Sequence, residues 1–283
     1  MKRLKIYGGS FTIHKEEHGN MKAKFVNESL SILKPKSNDE ILDNLKNLNS
    51  DDLLFKSSEI GFIKGVELAL ERGADMHAND DHALRYASGN GHVEVVKVLL
   101  DAGANVHAND DYALRWASEI GHDKVVKLLL NAGADMHAND DHALRYASGN
   151  GHVEVVKVLL DAGANVHAND DVALRWASEN GHDKVVKLLL NAGADVHTND
   201  DHALRMASEI GHDKVVKLLL NNRANVHAGN NEALKYASNN GHVEVVKVLL
   251  DAGANVHAND DVALRWASEN GHVEVVELLK KYI

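Results

Sequence analysis

Nineteen histidines stand in a chain that has no cysteine, so any metal or nucleophile chemistry would have to come from imidazole, carboxylate or hydroxyl groups. Fourteen of them fall into two registers that recur every 30 residues. One register is His92, His122, His152, His182, His212, His242 and His272; the other is His77, His107, His137, His167, His197, His227 and His257. Metal ligands must converge to about 2 Å from one ion in a defined geometry. Residues a whole repeat apart cannot do this, so the ladders are expected to hydrogen-bond turns between repeats. If their folded pKa values lie below the unfolded one, stability should weaken near pH 5.

Other chemistry-bearing patterns are thin. His14, Glu17 and His18 lie close together but lack the His-Glu-x-x-His spacing and a third ligand. Asp110 with Asp111 could suggest calcium, yet an acidic turn before a helix is explained by capping. Asn27, Glu28 and Ser29 form a glycosylation sequon with no secretory signal before it. No GxGxxG, Gly-x-Ser-x-Gly or phosphate-binding loop occurs, and no cofactor is expected.

Composition narrows the classes further. The net charge of -11 argues against nucleic acid as a partner, because displacing phosphate counterions needs a basic surface. No apolar run reaches the 18 residues of a membrane span, and the basic start is not followed by an apolar stretch of signal-peptide length. The expectation is a soluble, monomeric protein of a reducing compartment, cytoplasmic, with the nucleus left open. Hydrophobic residues make up 44%, enough for a core, and Pro35 is the single proline, so helices run uninterrupted.

These residues are positioned by a repeat. Units begin at Asp51, Asp81, Asp111, Asp141, Asp171, Asp201, Asn231 and Asp261, and residues 81–110 are identical to 141–170. They divide the array at 51–80, 81–110, 111–140, 141–170, 171–200, 201–230, 231–260 and 261–283. In the unit at Asp111, the aspartate is placed to cap a first helix, with Ala113, Leu114 and Ala117 on one face and Trp116 beside them. The small alanines let a neighbour approach closely. Gly121 ends that helix, because glycine reaches left-handed backbone angles cheaply. A second helix, from about His122 to Leu130, carries Val125, Val126, Leu128, Leu129 and Leu130 and ends at Gly133. So short and apolar a helix is marginal alone, and stability must come from stacking on neighbouring units.

Both ends fit a finite stack. Lys280 stands where other units carry leucine, so the last helix can face water while Val275, Val276 and Leu279 turn inward. Ser37 or Asn38 can cap a helix over residues 37–49 with an Ile41, Leu42, Leu45 and Leu48 stripe, making 37–50 a cap for the array 51–283. Residues 1–36 have no such period; a strand-containing cap and a tail both remain open.

The units resemble the ankyrin repeat. The resemblance is carried by ALRWASEIGH at Ala113 to His122, VVKLLL at Val125 to Leu130, and Gly133 to Met136, and it covers residues 51–283. It implies an all-α solenoid of stacked helix pairs, concave along its first helices, acting by noncovalent recognition of proteins and not by catalysis. Two departures stand out. Each unit has 30 residues where the family has 33, lacking the hairpin glycine among others, and Ala113 and Arg115 replace the family's proline and histidine. Fingers should therefore be short, leaving recognition to the first-helix face. The ALRWASENGH phrase at Ala173 to His182 also resembles the expanded ankyrin proteins of giant amoeba-infecting DNA viruses. That likeness would place the protein in host cytoplasm, bound to a host protein.

Variation between units marks the candidate surface. Second positions differ most: Asp52, His82, Tyr112, His142, Val172, His202, Glu232 and Val262. From His82 onward these are the candidate partner-binding residues, and Tyr112 and the histidines are expected to be exposed. Sixth positions carry Lys56, Tyr86, Trp116, Tyr146, Trp176, Met206, Tyr236 and Trp266, which read either as interface anchors or as packing between helices. Fifth positions form a ladder of Arg85, Arg115, Arg145, Arg175, Arg205, Lys235 and Arg265. In several units the arginine precedes Glu119, Glu179, Glu209 or Glu269 by four residues, a spacing worth roughly 0.2–0.5 kcal/mol per pair. One unit breaks the pattern: Arg223 replaces the second-helix glycine, and Gly229, Asn230 and Asn231 follow. The expected function is a protein-binding scaffold; a structural spacer without a tight partner is the alternative.

Overall fold

The computed structural model describes residues 38–283, together with the backbone of three strands at Arg3–Ile6, Gly9–Lys15 and Met21–Lys24. It divides into two units, residues 1–49 and 50–283. In the first, β1 (Arg3–Ile6), β2 (Gly9–Lys15) and β3 (Met21–Lys24) form an antiparallel sheet in that order, with Leu4 opposite Phe11 and Ile13 opposite Ala23. Glu17, His18, Asn27 and Ser29 lie outside the described residues, as does the side chain of His14. Helix α1 spans Asn38–Leu45, shorter than the stretch to residue 49, and leaves Ile41, Leu42, Leu45 and Leu48 half-buried.

The second unit is all-α. Its first pair is α2 (Ser50–Ile60) and α3 (Ile63–Glu71). Then come α4 (Ala78–Gly89) with α5 (Val93–Asp101), α6 (Ala108–Ile120) with α7 (Asp123–Asn131), and α8 (Ala138–Gly149) with α9 (Val153–Ala162). The stack continues through α10 (Ala168–Glu179) with α11 (Asp183–Asn191) and α12 (Thr198–Ile210) with α13 (Asp213–Asn221). It closes with α14 (Ala228–Asn239), α15 (Val243–Asp251), α16 (Ala258–Glu269) and α17 (Val273–Leu279). Each first helix packs on the first helix of the next pair, and each second helix on the next second helix.

The core repeats with the sequence. Ala113, Leu114 and Ala117 of α6 and Val125, Val126 and Leu129 of α7 are at most 1% exposed. A helix so short is held by this shared burial and not by its own hydrogen bonds. Adjacent first helices lie in closer contact than adjacent second helices, as the buried alanines allow. At the far end Val275 and Leu279 are buried, while Val276 is only half-buried and Lys280 is exposed.

Between pairs the backbone does something unusual. Asn109, Asp110 and Asp111 all lie in the left-handed region, with φ of 54°, 55° and 54°, inside the span of α6. The same three-residue turn recurs at each junction from Asn79 to Asp261. Asparagine and aspartate tolerate this conformation better than other side chains do, which is why the turn is spelled Asn-Asp-Asp. It stands where a longer repeat would carry a hairpin finger, so recognition by finger tips has no structure to use here.

Candidate functional site

The turn layer must be understood first, because it decides which side chains remain free. Asp111 does not cap α6 as its position suggests. Its Oδ1 instead accepts the Asp135 backbone N–H near the end of the same unit at 2.8 Å and lies 3.1 Å from Nδ1 of His107 in the preceding unit, which donates to it. The left-handed angle at Asp111 turns its carboxylate away from the helix start and across the junction. Asp81, Asp141, Asp171 and Asp201 make the same two contacts, and Asn231 reproduces them through its amide oxygen.

The arginine ladder also has a different partner from the one its spacing implies. Arg115 Nε donates to Asp110 O at 2.9 Å and Nη2 to Asn109 O at 3.0 Å. Two carbonyls of the strained turn are thereby satisfied by one guanidinium fork. Arg85, Arg145, Arg175 and Arg205 repeat this, so Arg115, Arg175 and Arg205 are not spent on the glutamate four residues on. A competing, stronger bidentate acceptor outweighs the weak surface pair.

The second-helix histidines do bridge the repeats. His122 Nε2 donates to Gly89 O at 3.0 Å and His152 Nε2 to Glu119 O at 2.8 Å, each reaching back into the preceding unit. The ring sits tight under the glycine turn. A Cβ at Gly121, whose φ is 98°, would lie 2.6 Å from His152 Nδ1. The turn histidines bond within their own junction, as described for His107.

What varies lies on the first helices. Val172 and Val262 are core residues, each 5% exposed, which corrects their reading as surface. His82, Tyr112, His142, His202 and Glu232 are half-buried, not freely exposed. The cause is packing along the row: second positions lean on the sixth-position rings. His82 stacks on Tyr86 at 4.0 Å and His142 on Tyr146 at 3.9 Å. Tyr112 lies between the guanidiniums of Arg85 and Arg115, 5.5 and 5.2 Å from its centroid. Glu232 is paired with Arg205 of the preceding unit.

Burial has an electrostatic consequence. The Nδ1 atoms of His82, His142 and His202 are buried without a hydrogen-bond partner. Loss of solvation lowers the pKa of all three. Arg85 adds to this at His82 and Arg205 at His202, while burial with Arg115 and Arg145 pushes His142 down to about 4. These rings are neutral in the folded chain at neutral pH.

The sixth positions form a half-buried ladder of rings. Tyr86 meets Trp116 edge-on at 5.2 Å, Tyr146 meets Trp176 at 5.3 Å, and Tyr236 lies 6.3 Å from Trp266. Sequence reasoning missed the glycines that make this possible. Gly89 and Gly149 take the ninth place only where the next unit carries tryptophan, and a Cβ at Gly89 would lie 2.3 Å from Trp116 Cδ2. That covariation between neighbouring units was the available signal.

No group of three or more His, Asp or Glu among the described residues could hold a metal ion. Helix pairs joined by shared turns, with half-buried aromatic and polar side chains along one face, define a repeat solenoid. The family model for ankyrin repeats (3 copies) matches residues 22–110, 53–140, 114–200, 174–260 and 204–283, and the chain belongs to that family. No individual curated protein gives a match.

Proposed function

We propose that the protein is a noncatalytic scaffold that engages another protein along its first-helix face, through Tyr112, His82, His142, His202 and Glu232 together with the aromatic rings beside them. The observation that supports this most is the contrast between layers. Turn contacts recur in unit after unit, while the second and sixth positions change. Ankyrin arrays work by noncovalent recognition, and this array offers no finger tips for it, so the helix face is what remains. Val172 and Val262 act in this reading as floor and not as contacts.

The working unit in this reading is the array 51–283, with 37–50 and residues 1–36 as N-terminal segments of their own. The protein acts as a monomer in the cytoplasm, and the wording of its repeats favours a virus-encoded protein directed at a host protein. No helix among the described residues is long and apolar enough to cross a membrane. Near-identity of the inner units favours a second reading, a spacer that holds no tight partner, since residues 81–110 and 141–170 present the same surface twice. Crosslinking capture from the native cell, run beside a chain altered at Tyr112, His142 and His202, separates the two. A saturable partner lost in the altered chain supports the scaffold; no partner for either supports the spacer.

A further inference from the structure

We infer that the groove between α8 and α10 is a socket for a lysine side chain of the partner protein, an assignment that rests on the scaffold reading above. A cavity of about 250 Å³ opens there, lined by Tyr146, Gly149, Asn150, Trp176, Glu179 and Asn180. Tyr146 and Trp176 stand at 80° to one another with centroids 5.3 Å apart, giving two ring walls at nearly a right angle. Gly149 leaves the floor open, since a Cβ there would sit 3.3 Å from Trp176 Cε3. Aromatic faces carry negative potential and attract ammonium groups.

The lining offers one carboxylate and two amide oxygens as acceptors. Asn150 Nδ2 donates to Glu119 O at 2.8 Å, and Asn180 Nδ2 donates to Gly149 O at 3.0 Å. Each amide thus has one of its two N–H donors engaged and keeps an oxygen with no hydrogen bond among the described residues. The Glu179 carboxylate has no hydrogen bond among the described residues and acts on His202 of the next unit only through space. Arg175, spaced to pair with it, is turned to Asp170 O at 3.2 Å and Asn169 O at 3.3 Å, and Glu179 forms no ion pair among the described residues. Arg145 is held in the same way by Asp140 O and Asn139 O. A groove with two rings, a carboxylate and two free amide oxygens selects a cation that brings several N–H donors, and a chain of net charge -11 draws such a ligand in.

The other two tyrosine–tryptophan steps lack the combination. At Tyr86 and Trp116 the tryptophan is pressed onto Gly89, and Ile120, 48% exposed, replaces Asn180. At Tyr236 and Trp266 the rings are near-parallel at 23°, and Asn239 fills the glycine place.

The test uses the full chain with Trp116→Phe and Trp266→Phe, so that Trp176 alone reports by fluorescence. The probe is a glycine-spaced lysine peptide, with norleucine and arginine versions beside it. A saturable change in Trp176 emission is expected with lysine, no response with norleucine, and about tenfold weaker binding in Glu179→Gln. An equal response to norleucine, unchanged binding in Glu179→Gln, or a response to arginine without one to lysine would overturn the assignment. Circular dichroism of Glu179→Gln checks that the array is intact. A cellular partner still captured by Glu179→Gln would sink the lysine socket alone and leave the scaffold reading standing.

Discussion

The turn layer and the first-helix face are written in the same 30-residue period but obey different rules. In the turn layer each side chain has its partners at fixed offsets along the repeat: Asp111 holds the Asp135 amide of its own unit, and His152 holds the Glu119 carbonyl of the preceding one. On the helix face each side chain leans on neighbours of changing size, and histidine, tyrosine, valine and glutamate all fit the same position. Directional hydrogen bonds that cross a junction leave little room for substitution, whereas lateral packing at a half-buried surface leaves a good deal. The difference separates what the stack needs to exist from what it can devote to a partner.

Breaking the turn layer should have the largest effect. Asp141 is 4% exposed and supports both the Asn165 amide and His137. Asp141→Ala removes both contacts at once and should destabilise the array by about 2–3 kcal/mol. Asp141→Asn should cost less than about 1 kcal/mol, because Asn231 already makes both contacts in its own junction. Urea unfolding midpoints of the two variants decide this; equal losses would show that charge, and not the pair of hydrogen bonds, is what the position supplies.

The helix face should show itself through acid. His82, His142 and His202 have folded pKa values below the unfolded 6.5, so their neutral forms stabilise the array fully above about that pH. Unfolding takes up protons as pH falls below 6.5, and the contribution of His142 is gone by about pH 4. Arg85 and Glu59 act on His82, Arg115 and Arg145 on His142, and Arg205, Arg175 and Glu179 on His202. A loss of about 1–2 kcal/mol at His142 is expected once solvent screening is allowed for. Replacing the three histidines by valine, the residue at Val172 and Val262, should flatten the profile between pH 7 and pH 5. An unchanged slope in that triple variant would return the acid sensitivity to the turn layer.

The two regions were also unequally legible. Period, helix pairs, buried alanines and the glycine terminators follow from spacing alone, since a 3.6-residue helix leaves its stripe in the sequence. The contacts of Asp111 and Arg115 did not. Both expectations came from rules for isolated helices, capping and i,i+4 pairing, whereas the left-handed turn redirects each residue to a backbone group. Nothing in one unit reveals that turn; the recurrence of Asn-Asp-Asp at all but one of its junctions, where Gly229, Asn230 and Asn231 stand instead, is its trace. On the face, second positions are less exposed than expected because the sixth-position ring of the same unit packs against His82, Tyr112 and His142. Val172 and Val262 could have been recognised by type, as valine suits a packed place better than a contact surface.

The smallest predicted effect lies where the turn layer itself departs from its rule. Arg223 occupies the left-handed terminator of α13 with φ of 71°, at the place where Gly73, Gly103, Gly133, Gly163, Gly193 and Gly253 stand in other units. A Cβ at the equivalent Gly193 would meet nothing within 4 Å, so the arginine is strained in its backbone and not crowded in its side chain. Arg223→Gly should therefore stabilise by about 1 kcal/mol, through the backbone alone. Before that change, residues 220–232 should exchange their amide hydrogens faster than residues 130–141; after it, the two segments should converge. If they are equally protected from the start, the junction hydrogen bonds of Asn231 compensate for the strain, and the turn layer is more tolerant of local cost than its regularity implies.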